Sequence, residues 1–122
     1  MQKKVKIMMV DDDPDFLFLY SKRLARHGME CIAVSTPQEG LEKALSEKPD
    51  LVLLDLNLPK MSGFGFLREM KQVEALKDLP IVVLTAIQND EVSDEAMDLG
   101  AVDYLTKQVS DYQLIRTIQA HL

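Results

Sequence analysis

Residues 51–59 read LVLLDLNLP. Leu51 to Leu54 are apolar at every position, with no alternation between an inner and an outer face. A strand of that composition has both faces buried, as strands in parallel sheets do. A carboxylate, Asp55, stands where the strand ends, and Pro59 follows. The same pattern recurs at Ile81 to Leu84 (IVVL), preceded by Pro80 and followed by Thr85. Two such runs predict the interior of a parallel sheet, whose neighbouring strands need crossover connections.

The rest of the chain supplies those crossovers. Lys4 to Val10 (KVKIMMV) is a short apolar run ending at Asp11-Asp12-Asp13, and Phe16, Tyr20 and Leu24 then fall on one helical stripe. Asp13 as N-cap, Pro14 in the first turn and Gly28 after His27 predict a helix over about Pro14 to His27. Cys31 to Val34 reads as a second strand. Thr36-Pro37-Gln38-Glu39 combines a capping Thr, a proline at the first helical position and a Glu three residues after the cap, opening a helix that ends near Lys48-Pro49. Further helices are expected at Gly63 to Val73 and at Glu91 to Leu99, the second stopped by Gly100, with a fifth strand at Val102 to Leu105. The last helix, about Asp111 to His121, carries Leu114, Ile115, Ile118 and Leu122 on one side. Five strands alternating with five helices imply an α/β, doubly wound, five-stranded parallel sheet of order 2-1-3-4-5. This flavodoxin-like arrangement has helices on both faces and binds ligands beyond the C-terminal strand ends.

Composition narrows the function classes. The 122 residues suit one domain, residues 1–122, with a single core and neither repeat nor linker. Acidic residues outnumber basic ones 20 to 14, giving a net charge of −6, so direct nucleic-acid binding is disfavoured. The apolar run Ile7 to Val10 is too short for a signal peptide or a membrane span, which predicts a cytoplasmic protein without membrane contact. Cys31, the only cysteine, suits a reducing compartment and reads as a small buried apolar residue in preference to a catalytic thiol.

Asp11 and Asp12 follow strand one and Asp55 follows strand three, and these strands are neighbours at the switch point of the expected order. At about 4 Å, two carboxylates repel by roughly 4 kcal/mol at an effective dielectric of 20, so the cluster calls for a cation. Mg²⁺, or Mn²⁺, fits an all-oxygen set: carboxylates of Asp12 and Asp55, the backbone carbonyl of Asn57, and Asp11 holding a water. Thr85 and Lys107 end strands four and five, so a hydroxyl and an ammonium reach the same edge as donors for a phosphoryl group. Asp55 is then the best-placed carboxylate nucleophile toward phosphorus.

Four fragments at strand ends, VDDDP, LLDLNLP, LTA and GAVDYLTK, together resemble the receiver domains of response regulators, over essentially the whole chain. The resemblance implies that Asp55 is the phosphoacceptor in a two-component, histidine-to-aspartate relay. It makes Asp11 and Asp12 the metal-holding acids, Asn57 the backbone-carbonyl ligand, and Thr85 and Lys107 the phosphoryl-sensing pair. Tyr104, three residues before Lys107, takes the place of the aromatic that turns inward and changes the face around strand five. The implied partners are a sensor histidine kinase or phosphotransfer protein and, downstream, an effector or an output domain outside these residues. No turnover of an external substrate is expected.

The chain departs from that family at two places. Gln108 follows Lys107 where receivers usually carry a proline in a cis peptide. A cis bond at a non-proline residue costs about 3 to 4 kcal/mol, so a trans peptide is expected. Ile87, two residues after Thr85, cannot hydrogen-bond an attacking water, which implies slow self-dephosphorylation.

Competing readings are weaker. A haloacid-dehalogenase-type phosphatase would need an acid where Asn57 stands. A flavin binder would have to seat phosphate against Asp11-Asp12-Asp13. A calcium loop starting at Asp11 would need Gly at Phe16 and Glu at Lys22. The remaining alternative is a docking domain of the same fold that works without phosphorylation. Asp13 and Asp15 read as helix-start acids, His27 and His121 as ordinary helix-end residues, and the acidic run Gln88 to Gly100 as a solvated helix face.

Overall fold

The computed structural model describes residues 4–57 and 63–122. Pro59 lies outside the described residues. Ten elements alternate along the chain: β1 Val5–Val10, α1 Pro14–Arg26, β2 Met29–Val34, α2 Pro37–Glu47, β3 Leu51–Leu54, α3 Gly63–Gln72, β4 Ile81–Thr85, α4 Asp90–Asp98, β5 Asp103–Thr106 and α5 Asp111–Ala120.

The strands form one sheet in the order β2-β1-β3-β4-β5, and every neighbouring pair is parallel. Val10 pairs with Val34 and Leu54, Leu54 with Val83, and Thr85 with Thr106, so β1, β2 and β3 end level and β4 and β5 run two residues further. All four residues of β3 and all five of β4 are buried. Alternate residues serve opposite layers. Met8, Val10, Val52, Leu54 and Val83 pack with Phe66, Leu67 and Met70 of α3, Ala44 of α2 and Ala96 of α4. Ile7, Met9, Leu51, Leu53 and Val82 pack with Leu17, Tyr20 and Leu24 of α1 and Leu114, Ile115 and Ile118 of α5. Each fully buried Leu or Ile in these layers contributes about 1.5–3 kcal/mol.

The expected caps are in place. Asp13 accepts hydrogen bonds from the backbone N–H groups of Asp15 and Phe16 at 3.0 and 3.3 Å. Thr36 accepts from the N–H of Glu39 at 3.2 Å, and the Glu39 carboxylate reaches back to the N–H of Ser35 at 3.3 Å. Gly28 and Gly100 close α1 and α4 with φ of 77° and 109°, a region that favours glycine.

Three expectations shift. β2 starts two residues early, because Met29 pairs with Val5; the exposed Glu30 breaks the apolar run that the sequence reading used. β5 runs from Asp103 through Thr106, its polar ends carried by pairing with β4. Leu122 lies beyond α5 and is 54% exposed, so the apolar side of the last helix is Leu114, Ile115 and Ile118 alone. Among the described residues no helix is long and apolar enough to cross a membrane.

Candidate functional site

The backbone hydrogen-bond ladder continues one residue past the strand ends. Asp11 N–H donates to the Val34 carbonyl at 3.1 Å, Asp55 N–H to that of Val10 at 3.0 Å, and Lys107 N–H to that of Thr85 at 2.8 Å. The backbones of Asp11, Asp55 and Lys107 are therefore tied to the neighbouring strands. Asp11, Asp12 and Asp55 each offer a carboxylate oxygen within 4.8 Å of the others. Asp11 and Asp55 are buried, and Asp12 is exposed.

Lys107 enters this cluster from the end of β5. Its Nζ lies 2.8 Å from Asp11 Oδ2 and 3.2 Å from Asp55 Oδ2. The other oxygens have backbone donors: Asp11 Oδ1 accepts from Asp13 N–H at 2.9 Å and Asp55 Oδ1 from Asn57 N–H at 3.2 Å. Asp11 Oδ2 is different. It is fully buried and meets the Lys107 ammonium at 2.8 Å. Lys107 is the partner of that oxygen, pairing with it by charge at hydrogen-bonding distance. Burial pushes the Asp11 carboxyl above its ordinary value; Lys107 and the Asp13 N–H oppose the rise, and the charge of Asp55 adds to it. Burial alone would lower the Lys107 ammonium, but Asp11 and Asp55 outweigh it and hold its pKa up. Three carboxylates whose oxygens converge within 4.8 Å form an all-oxygen donor set suited to a hard divalent cation.

Thr85 is fully buried at the end of β4, and its Oγ1 accepts from Ile87 N–H at 3.4 Å. The Ile87 carbonyl in turn accepts a short hydrogen bond from the Tyr104 hydroxyl. Burial raises the Tyr104 phenol, and the Asp55 charge adds to the rise. The structure thus gathers Asp11, Asp12, Asp55 and Lys107 into one cluster, with exposed Asn57 beside it, and joins Thr85 and Tyr104 to each other through Ile87. No hydrogen bond or ion pair among the described residues links Thr85 or Tyr104 to the acids.

The Lys107–Gln108 peptide is trans, as expected. Gln108 nonetheless has a partner, since its Oε1 accepts from Gln88 Nε2 at 3.2 Å, bridging the loops after β4 and β5. Sequence reasoning missed that bridge and two aromatic contacts. The Phe16 ring lies 4.1 Å below Lys107 Nζ, and the Tyr20 hydroxyl donates to the Lys107 carbonyl at 3.2 Å. Both aromatics belong to the stripe read as core, and the only hint was that this stripe begins just after the acids. The bland readings of other residues hold. Cys31 is half-buried with its thiol pushed up by burial and bonded by Ser21 Oγ at 3.3 Å; His121 pairs with Asp103 at 3.2 Å; the acids of α4 are exposed.

A doubly wound parallel sheet that presents buried acids, an interposed lysine and a threonine at adjacent strand ends has the architecture of a phosphoryl-accepting signalling domain. The family model of the response regulator receiver domain matches residues 7–119, and the chain belongs to that family. It is 38% identical over 119 residues to the alkaline phosphatase synthesis transcriptional regulatory protein PhoP of Bacillus subtilis, covering 96% of this chain and 48% of that protein. It is 32% identical over 119 residues to protein PilH of Pseudomonas aeruginosa, covering 96% of this chain and 97% of that one. The chain therefore spans about half the length of relatives such as PhoP and nearly all of PilH. Among solved structures, the chemotaxis response regulator CheY4 of Vibrio cholerae superposes with a TM-score of 0.90 at 29% identity, covering 98% of this chain and 100% of that one. The BeF3-activated N-terminal receiver domain of Klebsiella pneumoniae RstA gives 0.87 at 32% identity, covering 95% and 97%.

Proposed function

We propose that the chain is a switch in a histidine-to-aspartate phosphorelay and that Asp55 is its phosphoacceptor. The observation that carries this reading is the placement of Lys107 Nζ between the buried carboxylates of Asp11 and Asp55, with Asp12 beside them. Asp11, Asp12 and Asp55, with the Asn57 backbone carbonyl, are the residues that would hold Mg²⁺ or Mn²⁺. The ion when bound supplies charge neutralisation for the phosphoryl oxygens.

In the transfer, an Asp55 carboxylate oxygen forms a bond to phosphorus. The bond from phosphorus to the donor breaks, and its electron pair leaves with the donor. Lys107 balances the negative charge brought into the site. Thr85 offers its hydroxyl to a phosphoryl oxygen. Because Ile87 N–H already binds Thr85 Oγ1 and the Ile87 carbonyl binds Tyr104, movement of Thr85 is transmitted to β5 through Ile87. The donor is a sensor histidine kinase or a phosphotransfer protein. The recipient of the signal is an effector protein or an output domain outside these 122 residues, in keeping with the transcriptional regulators among the relatives. A cytoplasmic setting suits the free, half-buried thiol of Cys31. The phosphoryl group leaves slowly because Ile87 offers no side-chain hydrogen bond to water, and no external substrate is turned over.

Borohydride reduction tests the acceptor directly, since it converts an acyl phosphate on aspartate to homoserine. After incubation with Mg²⁺ and acetyl phosphate, homoserine is expected at position 55. Homoserine at position 11 or 12 instead would overturn the assignment.

A further inference from the structure

The Lys107 ammonium stands between two carboxylates that both attract it, so charge alone does not fix where it rests. Two aromatic residues on α1 act on it from below. The face of Phe16 lies 4.1 Å from Nζ, and the Phe16 ring is stacked on Tyr20 with centroids 4.0 Å apart and planes at 26°. Tyr20 is 2% exposed, and its hydroxyl donates to the Lys107 backbone carbonyl across 87 residues of sequence. Behind it, the Arg23 guanidinium covers the Tyr20 ring at 4.8 Å and pairs with Asp111 at the start of α5 at 3.4 Å. One helix thus contacts Lys107 at both its backbone and its charged end.

These contacts matter because the other bonds of the loop hold its backbone and Gln108, and none of them reaches the Lys107 side chain from α1. Gln108 has no ring to fix its backbone φ, and its own side-chain bond to Gln88 is exposed. A buried phenol loses stability if its hydroxyl goes unpaired, so the Tyr20 tether persists. A partly desolvated ammonium is drawn to the negative face of an aromatic ring.

We propose that Phe16 and Tyr20 are positioning residues for Lys107, Tyr20 fixing its carbonyl and Phe16 supporting its ammonium, so that the charge stays between Asp11 and Asp55 on a loop no proline braces. The inference rests on the reading of Asp55 as phosphoacceptor. The plain alternative is that the two rings only fill the core, and the following tests separate them.

Tyr20→Phe and Phe16→Leu are made in wild type and in Lys107→Ala. The first readout is the proton NMR shift of the Lys107 ε-methylene, which the Phe16 ring current displaces upfield in wild type. Tyr20→Phe keeps both rings, yet this signal is expected to move toward that of exposed lysines. The second readout is the rate of phosphorylation by acetyl phosphate with Mg²⁺. Each substitution is expected to slow it by about three- to tenfold in wild type and to leave the residual rate of Lys107→Ala unchanged. Phe16→Tyr, which retains the ring face, is expected to keep the wild-type rate. An unmoved ε-methylene signal in Tyr20→Phe, or equal losses in both backgrounds, would overturn the proposal. If wild type takes no phosphoryl group at all, the acceptor reading fails, and the methylene shift still decides where Tyr20 holds Lys107.

Discussion

At the residue scale the chemistry concentrates on Asp11. Its carboxyl is buried, shares the cluster with Asp55 and meets the Lys107 ammonium at 2.8 Å. Because burial lifts its folded pKa above the ordinary 3.8, the folded state holds this proton more tightly than the unfolded chain does. That contribution to stability is present below pH 3.8 and is lost as pH rises through the higher folded value. In EDTA at pH 7, Asp11→Asn is therefore expected to be more stable than wild type in urea unfolding. Added Mg²⁺ should reverse the order, raising the wild-type midpoint and leaving the variant's nearly unchanged. A metal-free variant less stable than wild type would contradict this electrostatic account. Ile87 is the second informative residue. Ile87→Glu places a hydrogen-bonding group near the acyl phosphate, and its lifetime after removal of the donor is expected to shorten by about tenfold; a longer lifetime would refute the assigned role.

The acids and Thr85 were legible in the sequence because each follows an apolar run that marks its own end, whereas Lys107 follows the polar-ended β5 and was placed through the family resemblance. Phe16 and Tyr20 were not, because an aromatic stripe at helical spacing looks the same whether it fills a core or supports a lysine 87 residues from Tyr20. The Gln88–Gln108 bridge was equally invisible, since two exposed amides 20 residues apart carry no periodic signal.

At the scale of elements, the junction between β3 and α3 sets how closely the acceptor loop is packed. A Cβ on Gly63, the first residue of α3, would fall 2.3 Å from Leu56 Cα and 2.7 Å from the Asp55 carbonyl oxygen, while Gly63 N–H donates to the Leu56 carbonyl at 2.8 Å. Backbone cannot yield as a flexible side chain does. Gly63→Ala is expected to cost about 1–3 kcal/mol in chemical denaturation and to slow phosphorylation by displacing Asp55. A variant with wild-type stability and rate would show that the junction tolerates movement. Element type was readable throughout, and boundaries failed where pairing overrode local pattern. Met29 joins β2 because Val5 lies opposite, and Thr106 joins β5 because Thr85 does. The buried β3, with apolar residues on both faces, matched its expected bounds.

Across the whole molecule, the sheet separates two apolar layers and gathers its chemistry at one edge, so a change at that edge must be carried by a few bonded loops. A phosphoryl group can shift such an equilibrium only by its differential affinity for the two forms. The path Thr85–Ile87–Tyr104 and the Lys107 contacts are where this chain can supply that difference. The central claim is that Asp55 accepts the phosphoryl group, and intact mass spectrometry after incubation with Mg²⁺ and acetyl phosphate tests it most directly, on wild type and Asp55→Asn. One added phosphoryl group on wild type and none on Asp55→Asn is the predicted result. Equal addition to both, or none to folded wild type, would contradict it, and the second outcome would favour a domain that works by docking alone.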